Sequence, residues 1–179
     1  MYIIEHLDPK LWDWSKIEYK HIVSIVGKSN VLFTNLKSKL FPSTSQRVSE
    51  LKLSNPCVLD PNAEKLLTPS DALKFSDFIF GGVLGDNPPR ARTKEEITSK
   101  LKYEARNLGK AQFSTDTAVL VTKMIVDGTP LAKIPFIDSV EIELRKGETT
   151  ILPYKYVLSG GKPVLASGLV AYLKKRKEF

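Results

Sequence analysis

Short apolar runs alternate with helical repeats along the first 138 residues of the chain, and a different pattern follows. "YIIEH" (Tyr2 to His6) is brief, β-rich and first in the sequence, which predicts a central or near-central strand. Asp8-Pro9 offers a helix start, after which Tyr19, Ile22, Val23 and Val26 recur at the spacing of one buried helical face, and Gly27 stops the run. "NVLFTNL" (Asn30 to Leu36) and "PCVLD" (Pro56 to Asp60) predict strands, with a short helix over "TSQRVSEL" between them. The span from Pro61 to Asp77 holds a turn or two of helix before the strand "DFIFGG". "TKEEITSKL" (Thr93 to Leu101) has Thr93 as a cap and acids in its first turn. "AQFSTDTAVLVTKMIVDG" predicts a brief strand running into a helix that is apolar nearly all round and therefore buried. Gly128 and Pro130 close that helix, and "KIPFID" (Lys133 to Asp138) returns as a strand.

Beyond Asp138 the period drops to two. "VEIELRKGETTILPYKYVL" alternates about Lys146-Gly147 as a hairpin does, and "GLVAYLKKRK" ends the pattern as a helix. The fold class is α/β: a mostly parallel sheet flanked by helices over residues 1–138, with a C-terminal β-hairpin and basic helix (139–179) packed on it within a single domain.

Charge and composition narrow the partners. Lys and Arg exceed Asp and Glu by 27 to 20, a net +7, and "LKKRK" (Leu173 to Lys177) concentrates part of it. Such a field attracts RNA or ribosomal surfaces; it is also what a solvated helix end carries to complement its dipole. Cys57 stands alone, so no internal disulfide forms, and no second thiol or His cluster completes a metal site. "MYIIEHLDPK" lacks the basic start and long apolar core of a signal peptide, and no apolar run reaches the ~18 residues of a membrane span. The expectation is a soluble, cytoplasmic protein with no metal and no membrane partner.

The densest chemistry lies in "FIFGGVLGDNPPRART" (Phe78 to Thr93). A strand ending in Gly-Gly makes either a tight turn or a backbone surface that a ligand can approach closely, and in open α/β sheets ligands bind beyond carboxyl strand ends. "GGVLGD" lacks the dinucleotide-binding spacing, and the prolines forbid an immediate helix. Gly27-Lys28-Ser29 is no phosphate loop, because Ile22 stands where its first glycine belongs. His6 and His21 read as structural. Three acids sit beside predicted strand or helix ends: Asp86, Asp116 and Asp138. Asp116 serves with Ser114 and Thr115 in a helix cap or acts in a site; Asp86 lies close enough to Arg90 and Arg92 for an ion-pair lattice or a substrate-orienting group.

"DFIFGGVLGDNPPRART", "LGKAQFSTDTAVLVTKMIV" and "KIPFIDSVEIEL" with "LPYKYV" resemble, in order and spacing, the archaeal and eukaryotic SPOUT-class methyltransferases. Within that class they are most similar to the subfamily of the fungal ribosomal-protein arginine methyltransferase. The resemblance implies a C-terminal trefoil knot, an exception to the rule against threaded connections. It implies S-adenosylmethionine as cofactor, S-adenosylhomocysteine as product, and three binding loops: Phe80, Gly81, Gly82, Leu84 and Gly85; Leu108, Gly109, Ser114, Thr115, Asp116 and Thr117; and Ile134, Pro135 and Phe136.

Methyl transfer needs positioning and proton removal, with neither metal nor covalent intermediate. If the acceptor is arginine, its guanidinium has a pKa above ~12 and needs an acid to orient and deprotonate it. Asp86 is the first candidate and Asp116 the alternative, while Arg90 and Arg92 would position an acidic or phosphate group of the substrate. The expected substrate is an arginine of a ribosomal protein, with RNA methylation and a non-catalytic ribosome-assembly role as the alternatives. The subfamily implies a monomer whose C-terminal segment covers the site, with a homodimer, across which many SPOUT enzymes complete their site, as the alternative.

Overall fold

The computed structural model describes residues 1–83 and 91–175. In chain order its elements are β1 (Tyr2–His6), α1 (Asp13–Val26), β2 (Val31–Thr34), β3 (Pro56–Leu59), α2 (Pro69–Ala72), β4 (Asp77–Gly82), β5 (Glu104–Arg106), α3 (Thr115–Val126), β6 (Phe136–Ile137), β7 (Val140–Arg145), β8 (Glu148–Leu152), β9 (Tyr156–Ser159), β10 (Lys162–Pro163) and α4 (Leu169–Lys175). Five strands form one parallel sheet in the order β2-β1-β4-β3-β5. β1 is flanked on both sides, pairing from Tyr2 with Val31 on one edge and from Tyr2 with Phe78 to His6 with Gly82 on the other. Because every strand runs the same way, His6, Thr34, Leu59, Gly82 and Arg106 all end on one edge of the sheet.

Alternation along the strands divides the core. Ile4, Phe33, Leu59 and Phe80 face Tyr19 and Ile22 of α1 and Val121 and Ile125 of α3. Ile3, Val58 and Ile79 face the other way, onto Val48 and Ile97. That second layer is thinner than the sequence predicts. "TSQRVSEL" makes only a 3₁₀ turn, Val48–Glu50, because the Val48 N–H is drawn to the buried Glu5 carboxylate at 2.9 Å and the Arg47 N–H to Glu50 at 2.6 Å. "TKEEITSKL" makes one π-type turn, Lys94–Thr98, and Thr93 does not cap it.

Three further expectations are corrected. α1 begins at Asp13 behind Trp12, because Asp8 is engaged by Arg92 (2.8 Å). Residues 111–113 form no strand; the fifth strand lies earlier, at Glu104–Arg106, where it pairs with β3. "KIPFID" contributes only β6, which pairs antiparallel with β9 in a small separate sheet. That pairing crosses the boundary drawn at Asp138, and Val157 belongs to the main core. The hairpin β7–β8 forms as predicted, turning at Gly147 (φ 79°), and its inner residues Val140, Ile142 and Leu144 pack with Leu169 and Leu173 of α4 against Trp14 and Ile17 of α1.

Gly82 fixes how closely α1 approaches the sheet. A Cβ there would lie 2.4 Å from the Tyr19 hydroxyl and 2.6 Å from Ile4 Cγ2. Gly82→Ala should destabilise the protein by roughly 1–3 kcal/mol through overpacking, read as a fall of several degrees in melting temperature; an unchanged melting temperature would contradict this packing.

Candidate active site

Beyond the carboxyl ends of β3 and β4 lies a cavity of about 350 Å³. Leu59 and Asp60 continue from β3 into its wall, Phe80 and Gly81 come from β4, the segment from Leu108 to Phe113 follows β5, and Thr115 and Ala118 face it from α3. Local hydrogen bonds hold these pieces in register. The Asp60 N–H donates to the Arg106 carbonyl (2.9 Å), while its carboxylate accepts the Asn62 N–H (2.8 Å) and the Thr98 hydroxyl (2.7 Å). The side chain of Asn107 donates to the Ala63 carbonyl and accepts the Gly109 N–H, both at 2.8 Å. Gly109 has φ 89°, the left-handed conformation that admits glycine without strain. Gly81 lets Thr93 approach closely, since an added Cβ would lie 2.5 Å from Thr93 Oγ1 and that side chain would have to shift.

The lining is mostly apolar, with Leu59, Phe80, Leu108, Phe113 and Ala118 offering flat or aliphatic surface and Asp60, Asn62 and Gln112 supplying polar groups. Its volume falls within the roughly 300–1,000 Å³ of small-molecule sites. Arg92 also lines it, but its guanidinium is held from behind by Asp8 (2.8 Å), the Leu7 carbonyl (2.7 Å) and, more distantly, Glu96 (3.7 Å). Among the described residues no group of three or more His, Cys, Asp or Glu could hold a metal ion, and no helix is long and apolar enough to cross a membrane.

Behind the α3 wall is a buried polar layer. Asp116, 2 % exposed, accepts the Ser114 hydroxyl (2.6 Å) and the Thr117 N–H (2.9 Å) on one oxygen and meets His21 Nδ1 at 2.7 Å with the other. Glu18 of α1 accepts Trp14 Nε1 at 2.7 Å and the Thr115 backbone N–H. Burial, reinforced by the nearby Asp116 charge, pushes the Glu18 carboxyl well above the usual carboxylate range. His6 shares its Nδ1 with the Tyr19 hydroxyl (2.8 Å), and burial lowers its pKa. Its Nε2 has no partner among the described residues.

Residues 1–178 match the family described as protein arginine N-methyltransferase SFM1-like. The chain belongs to that family. Protein arginine N-methyltransferase SFM1 of Saccharomyces cerevisiae is 37% identical over 200 residues, covering 97% of this chain and 94% of the relative. The crystal structure of yeast arginine methyltransferase SFM1 complexed with SAH superposes with a TM-score of 0.88 at 35% identity, over 96% of this chain and 93% of that one. The structure of the same enzyme complexed with SAM gives 0.89 at 36% identity, over 97% and 89%. A dual specific Trm10 from Thermococcus kodakaraensis, 17% identical over 73% of this chain and 95% of its own, shares the fold at a TM-score of 0.54.

Within this SFM1-like chain the residues singled out from the sequence separate into three groups. Phe80, Gly81, Arg92, Leu108, Gly109 and Thr115 line the cavity. Gly82 does not; it faces Tyr19. Ser114, Asp116 and Thr117 lie in the buried layer behind the wall, and Phe136 packs against Phe113 with the rings tilted (centroids 5.6 Å, 49° apart), the buried Ile134 and the exposed Pro135 leading to it. Leu84, Gly85, Asp86 and Arg90 lie outside the described residues. Missed altogether were Leu59, Asp60 and Asn62. The signal was present: "PCVLD" is a strand whose carboxyl end meets an Asp-Pro turn, the location where open α/β sheets bind ligands.

The raised pKa of Glu18 has a measurable sign. Its unfolded value is about 4.3, so as pH rises above that the unfolded state ionises while the folded state keeps its proton, and stability falls until the folded pKa is passed. Glu18→Gln should remove this loss, so that its melting temperature declines less than the wild type's between pH 5 and pH 8. Parallel declines would place Glu18 in a more hydrated setting.

Proposed function

We propose that the cavity binds S-adenosylmethionine and that the protein transfers its methyl group to an arginine side chain of a ribosomal protein, releasing S-adenosylhomocysteine. The observation that carries this reading is the cavity at the carboxyl ends of β3 and β4, walled by both glycine junctions, in a chain whose family includes an arginine methyltransferase crystallised with SAM and with SAH. Phe80, Leu59 and Leu108 supply apolar surface for a flat base, and the backbone from Leu108 to Phe113 supplies polar edges to read it. When bound, the cofactor supplies an electrophilic methyl on a sulfonium. The arginine nitrogen takes the methyl as the S–CH₃ bond breaks, and one proton leaves the guanidinium.

An acid must receive that proton, since the guanidinium is a poor nucleophile while protonated. Asp116 has both oxygens engaged within the protein, so it suits positioning better than proton transfer. Asp86, which follows β4 in the sequence, is the proposed base, with Arg90 proposed to orient substrate. Arg92 is anchored on Asp8 and shapes the wall. Leu84 and Gly85 are proposed as cofactor contacts, and Ile134, Pro135 and Phe136 are proposed to support the site through Phe113. The C-terminal segment reaches this wall directly, the Lys155 N–H donating to the Gln112 carbonyl at 2.9 Å, which supports a monomer whose own C-terminal region covers the site. The net charge of +7 keeps RNA as the second reading.

Incubation with S-adenosylmethionine labelled in its methyl group and a cell lysate distinguishes the readings. Label lost on protease treatment is the expected result, whereas label lost to RNase alone would transfer the assignment to RNA. Asp86→Ala should reduce turnover by about 10²-fold or more with cofactor affinity nearly unchanged. Wild-type turnover in that variant would remove Asp86 from the mechanism.

A further inference from the structure

We propose that α1, which contributes no residue to the cavity wall, sets the geometry of that wall through His21, a positioning residue for the site. The inference rests on the cofactor reading above. α3 begins at Thr115, with Ser114 as its N-cap residue, yet the Ser114 side chain caps no backbone N–H. Its hydroxyl is turned to the Asp116 carboxylate (2.6 Å) and Thr117 Oγ1 (2.8 Å). The first turn of α3 is instead held from the neighbouring helix. Glu18 accepts the Thr115 N–H, and one turn along the same face of α1 His21 Nδ1 lies 2.7 Å from the second oxygen of Asp116.

The consequence reaches the cavity through one residue. Thr115 sits between the two α1 contacts and the wall, where it lines the cavity and donates its hydroxyl to the carbonyl of Val83, the residue after β4, at 3.3 Å. Asp116 is almost wholly buried (side chain 3 % exposed), and His21 is its link to α1 (13 % exposed). Without His21, one carboxylate oxygen loses its partner in a buried setting, and the turn carrying Thr115 is free to reorient toward a new one. The wall would then be held by Glu18 alone.

The test titrates S-adenosylhomocysteine into wild type, His21→Ala, His21→Asn and the exposed control Lys20→Ala by isothermal calorimetry, with melting temperatures recorded in parallel. Asn places an amide donor where Nδ1 lies. His21→Ala should bind about tenfold more weakly or worse, the scale of a lost hydrogen bond to a buried charge, and His21→Asn should recover most of the affinity. Lys20→Ala should bind as wild type does. Wild-type affinity in His21→Ala would overturn the inference, as would an Asn variant that melts like wild type yet binds as weakly as the Ala variant. Failure of the wild type itself to bind would overturn the cofactor reading instead.

Discussion

The parallel insertion of β4 between β1 and β3 is the constraint on which the molecule turns. Parallel neighbours cannot be joined by tight hairpins, so each connection must cross back over the sheet, and all the strand ends that leave the core do so on one edge. Their last backbone groups have no further strand to pair with there. In this protein the turns that follow neighbouring strands satisfy them: the Gly82 carbonyl accepts the Leu7 N–H (3.1 Å), and the Arg106 carbonyl accepts the Asp60 N–H (2.9 Å). The cavity is the space those turns leave between them. Gly81 lets Thr93 close on it at the cavity wall, while Gly82 lets Tyr19 of α1 pack against the other face of β4, away from the cavity.

Burying so many backbone ends on one edge draws charged groups in with them. Glu5, Asp60, Arg106 and Asp116 are all at most 5 % exposed, and each is tied to more than one element. Glu5 bridges Thr34 and Val48; Arg106 grips Asp71 and Glu104, holding the Asp71 carboxyl below its usual range by direct hydrogen bonding. A buried charge with a partner missing is costly, so these groups have few alternative arrangements. They fix the orientation of the loops more than they add to stability, and a methyl-transfer site depends on such orientation.

Much of this was legible one element at a time. The i, i+3, i+4, i+7 repeat of Tyr19, Ile22, Val23 and Val26 found α1, and alternation about Gly147 found the hairpin. The errors share a cause. At "TSQRVSEL" and Asp8-Pro9 the local signals for helix are genuine, but the donors and acceptors they would use are claimed from far away, by Glu5 in one case and Arg92 in the other. "EAR" (Glu104 to Arg106) carries too few β-forming residues to mark a strand, and becomes one because β3 presents a free edge. For the site, the glycine junctions were readable because unusual backbone needs unusual residues, whereas Asp60 and His21 look ordinary in the sequence and gain their roles from partners 38 and 95 residues away.

By itself, then, the sequence determined the kinds of element, the two glycine junctions and a family resemblance strong enough to imply a methyl-transfer site, because each of these is written in short, local patterns of residue type. Tertiary structure alone decided which residues face the cavity. It turned Gly81 toward the cavity and Gly82 toward Tyr19, brought the end of β3 into the wall, and placed Asp116 behind it on His21. The physical reason is that a side chain's role at a strand end depends on which neighbour satisfies its hydrogen bonds, and in a parallel sheet those neighbours are supplied by crossovers that local sequence does not specify.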